Sequence, residues 1–311
     1  MMQQYLQIKE RYRDSILFFR LGDFYEMFFE DAQTASRILD IALTSRHKSE
    51  ESPVPLCGVP YHAAEPYIQK LLDAGHKVAV CEQIEDPKTA KGVVQREVVR
   101  VITPGTVTAA EALDARDNNF LMAVCQHDRN FGLAVTDITT GEFRCTQFAE
   151  DQSLLDEIGR IAPSEIIAPR NSAALLRLLR KEFSNLHITP APEDYFADEA
   201  ARKLVAAEDS KSKPGIGRQG LLAASGIINY LEANVGEFLK VIGGLEFYVA
   251  SHYLVLDENT RRNLELVNGN DGTRKGSLLS VIDRTETPMG ARRVRQWLLY
   301  PLMEVAAIRE R

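Results

Sequence analysis

The sequence predicts a chain of the α/β class: a mixed-sheet α/β unit, a second α/β unit, and a helical stretch after them. Three observations carry that prediction. Short apolar runs of strand length alternate with stripes of helical period. Turn signals rich in Gly, Pro, Asn and Asp separate them. From Leu256 onward the pattern becomes helical and charged.

The elements follow in order. Residues 2–12 read as an amphipathic helix, with Met1, Tyr5, Ile8 and Tyr12 on one stripe. Residues 16–21 are an apolar strand. Gly22 then permits a bend that a residue with a Cβ resists. Past the bend, Phe24 and Glu26 sit two positions apart, so on an extended segment they face the same way. A flat ring beside a hydrogen-bonding carboxylate suits a partner that is itself stacked and edge-polar, such as a nucleobase. Phe18, Phe19, Phe24, Tyr25, Phe28 and Phe29 crowd this stretch, and most of these rings belong to the core. The residues alone do not choose Phe24 over Phe28.

Residues 30–41 read as a helix with Ala32, Ala35, Ile38 and Leu39 inward, 45–55 as a polar loop, and 64–74 as a helix closed by Gly75. Residues 77–81 and 98–102 are strands, and Thr103-Pro104-Gly105-Thr106 is a turn. Residues 107–116 connect to a second unit starting near Asp117. There, residues 120–125, 131–137 and 142–146 are strands joined by turns at Asp128-Arg129-Asn130 and Thr139-Thr140-Gly141. Helices over 154–161 and 173–183 then alternate with strands over 165–168 and 187–189, and 199–206 is helical. Three antiparallel strands followed by alternating α and β is the element order of ribonuclease-H-like folds. Residues 211–220 read as a Gly/Lys-rich loop and 221–235 as a helix. Later, Thr287-Pro288 opens a helix with Thr as N-cap and Pro at the first position. The last residues are helical in pattern with no C-cap, which predicts a fragment of something longer.

Composition narrows the function classes. The 311 residues are 45% hydrophobic and 26% charged, an ordinary globular balance. No apolar run approaches the ~18 residues of a membrane span, and the first residues lack the order of a secretory signal. Cys57, Cys81, Cys125 and Cys145 form no CxxC pair, and the six histidines are scattered. The expectation is a cytoplasmic protein with reduced thiols and no metal site. The net charge of −7 argues against a general polyanion binder, so charge position matters more than the sum. Between Lys88 and Arg100, four cations (Lys88, Lys91, Arg96, Arg100) face one carboxylate, Glu97, and Arg46, His47 and Lys48 form a second basic group.

Several motifs then occur together and in order. They are Leu21-Gly22-Asp23-Phe24-Tyr25-Glu26-Met27-Phe28, Gly58-Val59-Pro60-Tyr61-His62-Ala63, Cys81-Glu82-Gln83-Ile84-Glu85-Asp86-Pro87, the run from Arg96 to Thr106, Arg261-Arg262-Asn263-Leu264-Glu265 and Thr287-Pro288-Met289-Gly290-Ala291-Arg292. Together they resemble the start of the bacterial MutS family of DNA mismatch-recognition proteins. The resemblance implies a mismatch-recognition domain over 1–103, a linker over 104–115, a ribonuclease-H-like connector over 116–245, and over 246–311 the helical start of an incomplete core domain. It implies Phe24 as a wedge ring with Glu26 as its partner, Arg96 as a DNA contact near the wedge, and Arg46 and Lys48 holding the backbone nearby. The partners it implies are mismatched duplex DNA, a MutL-type repair factor docking on the connector, and a second subunit in a homodimer.

ATP and Mg belong to the family's later ATPase domain, so no cofactor and no enzymatic activity are expected of this chain. The nearest approach to a phosphate loop, Gly272-Thr273-Arg274-Lys275-Gly276-Ser277, lacks the required Ser or Thr after Lys. A ribonuclease-H-like unit raises the alternative of a metal-dependent nuclease, with Asp137 as one ligand. Asp156 and Glu157 form no convincing constellation with it. A third alternative is a protein-interaction module alone.

Overall fold

The computed structural model describes residues 1–46, 53–85, 94–109, 112–127, 129–197 and 217–311. The chain forms two compact units, one from Met1–Ala112 with Glu232–Glu237, the other from Leu113–Leu231 with Phe238–Arg311. Both contain a mixed six-stranded sheet, and the α/β class holds.

The first unit begins with helix α1 (Met2–Arg11), then strands β1 (Ser15–Leu21) and β2 (Phe24–Phe28). Gly22 lies between the two strands at φ 58, the left-handed value glycine adopts without strain. A Cβ built there meets nothing within 4 Å, so backbone conformation and not space demands the glycine. Helix α2 (Phe29–Leu39) follows, then β3 (Thr44–Arg46), β4 (Val54–Pro60), helix α3 (Glu65–Asp73), β5 (Lys77–Gln83) and β6 (Arg96–Ile102). The sheet order is β3-β4-β2-β1-β5-β6. Gly75 closes α3 at φ 86, as its position predicts.

One expectation needs correction. Residues 45–55 are not all loop: Ser45 and Arg46 pair with Pro55 and Val54 as β3 against β4. The sequence hides β4 because it holds Pro55, Gly58 and Pro60, residues that weaken strand propensity. Pairing with β2 on one side and β3 on the other holds it extended nonetheless.

The second unit opens with an antiparallel meander, β7 (Leu121–His127), β8 (Asn130–Asp137) and β9 (Glu142–Phe148). Helix α4 (Asp151–Ile161), β10 (Glu165–Pro169), helix α5 (Ala173–Glu182) and β11 (His187–Ala191) follow. β10 lies parallel to β7, and β11 parallel to β10. This is the arrangement expected of a ribonuclease-H-like unit. Helix α6 spans Arg218–Val235, so Arg218 to Gly220 are helical and not loop. Its first turn lies against β8, where a Cβ on Gly132 would come 1.9 Å from the Gln219 carbonyl oxygen. The expected helix over 199–206 and the part of the expected loop over 211–216 lie outside the described residues. The short strand β12 (Glu246–Phe247) adds to β9, and helices α7 (Glu258–Asn263), α8 (Leu278–Ile282), α9 (Pro288–Leu299) and α10 (Val305–Glu310) complete the unit. Thr287 caps α9 by accepting from the Gly290 N–H at 3.1 Å.

Candidate nucleic-acid interface

The six rings near the first bend sort cleanly. Phe18, Phe19, Tyr25 and Phe28 are buried and Phe29 is partly buried against the core, whereas Phe24 is 47% exposed. Alternation along β2 puts Phe24, Glu26 and Phe28 on one face of the sheet. Helix α1 covers one end of that face. Its Tyr5 ring packs edge-on against Phe28 at 4.9 Å and Phe19 at 5.5 Å. Asp31 ties the helix down, accepting from Tyr5 Oη at 3.2 Å, Lys9 Nζ at 2.9 Å and the Leu17 N–H at 3.0 Å. Phe24 lies beyond this cover, next to the hairpin bend.

Glu26 shares that end of the face. It is paired in register with Phe19 on β1 and Gly58 on β4. A Cβ on Gly58 would sit 3.4 Å from Glu26 Cγ and 3.1 Å from the Tyr25 carbonyl oxygen, so glycine there leaves the carboxylate room. Pro60 lies opposite Phe24. Sequence reasoning quoted Gly58 and Pro60 only as part of a motif; their role as neighbours of Glu26 and Phe24 follows from the register.

The opposite face of the hairpin is braced. The Arg20 guanidinium stacks 3.4 Å from the Tyr61 ring centre, and its Nε donates to the Gly22 carbonyl at 2.5 Å. Arg20 also pairs with Glu82 at 3.5 Å, and Tyr25 Oη donates to Glu82. Burial, more than the neighbouring carboxylate, pushes the Tyr25 hydroxyl pKa well above its ordinary value and keeps it a donor. The Tyr61 N–H closes the bend by donating to the Asp23 carbonyl at 3.0 Å. These groups fix the backbone that carries Phe24. Tyr25, Tyr61 and Glu82 stand in the quoted motifs, but nothing in their spacing marks Arg20 as their common partner.

Arg96 is 7% exposed. Its Nε donates to the Arg20 carbonyl at 2.7 Å, and its Nη1 donates to the Val94 carbonyl at 2.7 Å and Gln4 Oε1 at 3.4 Å. The guanidinium lies 5.2 Å from the Phe19 ring centre, and burial pulls its pKa below the ordinary arginine value. In this conformation it joins α1, β1 and β6. The backbone of Arg46 ends β3, and Lys48 lies outside the described residues.

Asp137, the candidate nuclease ligand, is spent on a turn. It accepts from Asn118 Nδ2 at 2.7 Å, the Thr139 N–H at 2.9 Å and Thr139 Oγ1 at 2.6 Å. Glu157 pairs with Arg160 at 3.2 Å and accepts from the Tyr248 and Tyr300 hydroxyls at 2.8 and 2.9 Å. Among the described residues no group of His, Cys, Asp or Glu could hold a metal ion.

Three family models match in consecutive order: MutS domain I over residues 1–111, MutS domain II over 119–240 and MutS domain III over 259–311. The chain belongs to the MutS family. Proteins described as DNA mismatch repair protein MutS are similar along its whole length. The one from Desulfosudis oleivorans is 43% identical over 319 residues, covering 100% of this chain and 36% of that protein. The one from Pelotomaculum thermopropionicum is 45% identical over 322 residues, covering 100% of this chain and 37% of the relative. That from Staphylococcus carnosus is 42% identical over 312 residues, covering 100% and 34%. The chain thus spans little more than a third of the length of these MutS relatives. Phe24, Glu26 and Arg96 all fall within the stretch matched by MutS domain I. No described helix is long and apolar enough to cross a membrane.

Proposed function

We propose that this chain recognises base mispairs and small insertion or deletion loops in duplex DNA for mismatch repair, with Phe24 as the inserted wedge and Glu26 beside it. One observation carries the reading: of six rings crowded around one hairpin, Phe24 alone stands out from the sheet, and the neighbouring position on its face is a carboxylate.

The mechanism follows from the cost of deformation. Pushing a ring into the minor groove unstacks a base step and kinks the duplex, at a few kcal/mol per step in paired DNA. A mispaired or unpaired base is already poorly stacked, so the same insertion costs less. Discrimination is then a difference in deformability, read without a base code, and one site accepts many lesions. Glu26 is repelled by phosphate. Beside a mispair it accepts a hydrogen bond from a base N–H, or takes up a proton in the desolvated groove and donates one. Beside a normal pair the base edges are engaged, and the carboxylate opposes binding.

Arg96, held in this conformation by the Arg20 and Val94 carbonyls, is the phosphate or groove contact near the wedge; Arg46 and Lys48 supply backbone contacts that position the duplex without reading sequence. The linker over 104–115 separates the recognition domain (1–103) from a connector (116–245) that docks a MutL-type factor, and 246–311 opens the core. Homodimerisation, ATP and Mg belong to the remaining length of the longer relatives, and the setting is cytoplasmic. The chain's own part is recognition and not catalysis.

The test is Glu26→Gln, which removes charge and keeps shape. Affinity for perfectly paired DNA rises if the carboxylate opposes it, and an unchanged affinity refutes that role. Incubation of the chain with ATP and Mg is expected to give no turnover.

A further inference from the structure

A cavity of about 390 Å³ lies in the second unit and owes nothing to the Phe24 surface. Its size falls within the range of small-ligand pockets. Helix α9 supplies one wall through Met289, Arg292, Arg293, Gln296 and Leu299. These positions are three or four apart, which makes one stripe of the helix. Phe120, Arg144 and Tyr300 also line it, with the Arg144 guanidinium 5.8 Å from the Phe120 ring centre and 5.2 Å from that of Tyr300.

Most charges around it are matched. Arg160 pairs with Glu157 at 3.2 Å, Arg144 with Glu142 at 3.0 Å and Arg295 with Asp117 at 3.3 Å. Arg292 and Arg293 are different. Arg292 donates to the Ala115 carbonyl and Arg293 to Gln296 Oε1 at 2.9 Å, and among the described residues neither has a carboxylate within ion-pair distance. Two adjacent guanidinium groups that make no ion pair therefore border a cavity that also offers aromatic and aliphatic surface; the carboxylate in its lining, Glu142, is paired with Arg144 and is near enough to Arg293 to interact with its charge. A guanidinium fork matches phosphate geometry, and flat apolar walls accept a ring.

We infer that this cavity binds a small organic phosphate, a phosphate group carried on a flat ring system. The apolar walls and the paired Arg144 and Arg160 hold the ring, and Arg292 and Arg293 hold the phosphate. Inorganic phosphate leaves the apolar walls unused, and a nucleoside without phosphate leaves the two arginines unused.

The experiment is calorimetric titration of the chain with AMP, adenosine and inorganic phosphate, each used alone. Trp297 is the chain's single tryptophan and lies on α9, so its fluorescence gives a second readout. AMP is expected to bind and to change that fluorescence, with adenosine and inorganic phosphate each at least about tenfold weaker. Arg293 is exposed, so Arg293→Ala leaves the fold intact and weakens AMP roughly tenfold, the worth of one charge-assisted hydrogen bond. Arg177→Ala, on the exposed side of α5, leaves AMP binding unchanged. The inference is overturned if AMP gives no heat at millimolar concentration, if inorganic phosphate binds as tightly as AMP, or if Arg177→Ala weakens AMP as much as Arg293→Ala.

Discussion

The two six-stranded sheets are finished differently. In the second unit, every residue of β8 from Phe131 to Asp137 is buried. In the first, β2 runs from buried Phe28 to exposed Phe24 on the same face, four residues apart. Both rings are phenylalanine on one strand, so residue type does not set their fates; the reach of α1 does. An apolar ring left outside an otherwise covered sheet gives up stabilisation of roughly 1.5–3 kcal/mol that burial would supply. A sheet that leaves such a ring at its open end, beside a carboxylate, has a surface suited to a partner.

That contrast can be broken most forcefully at its covered end. Phe28→Ala should destabilise the first unit by about 3–5 kcal/mol in a urea melt, the usual cost of deleting a buried ring. Phe24→Ala should change stability by no more than about 0.5 kcal/mol. Equal losses would mean that both rings are core. Asp31→Ala removes the acceptor shared by Tyr5, Lys9 and the Leu17 N–H, and should cost about 3 kcal/mol by releasing α1 from the sheet. It also tests whether that cover defines the open end, because Phe28 should then become accessible to solvent.

Tyr61→Ala removes the ring under Arg20 and should cost about 1 kcal/mol. Its larger effect should be a hairpin that yields under load, seen as faster amide exchange between Arg20 and Tyr25. A further effect concerns pH. Burial pushes the Cys57 thiol up to about 11 and Cys81 to about 12. An unfolded thiol ionises near ~8.5, and a raised folded pKa favours the protonated native form. The stability these groups contribute is therefore complete below ~8.5 and is lost as pH rises from there through 11 to 12. Melting temperature against pH from 7 to 11 checks the sign.

Much of this architecture was legible because local signals agreed with one another. Gly22, Gly75 and Thr287-Pro288 each mark a boundary through their own stereochemistry. β4 was not legible, because its prolines and glycine argue against a strand and only its two neighbours hold it extended. At the candidate site, spacing put Phe24 and Glu26 on one face. It could not say which ring stays outside, since that depends on where α1 lies. Nor could it show that Arg96 is enclosed by carbonyls, because the Arg20 carbonyl it meets belongs to a strand far away in sequence.

The most direct measurement is the affinity of Phe24→Ala for paired and mispaired duplexes, in a protein of the relatives' full length carrying this chain. The account predicts that preference for the mispaired duplex vanishes while stability is unchanged. A variant that still prefers the mispaired duplex as strongly as the parent would contradict it.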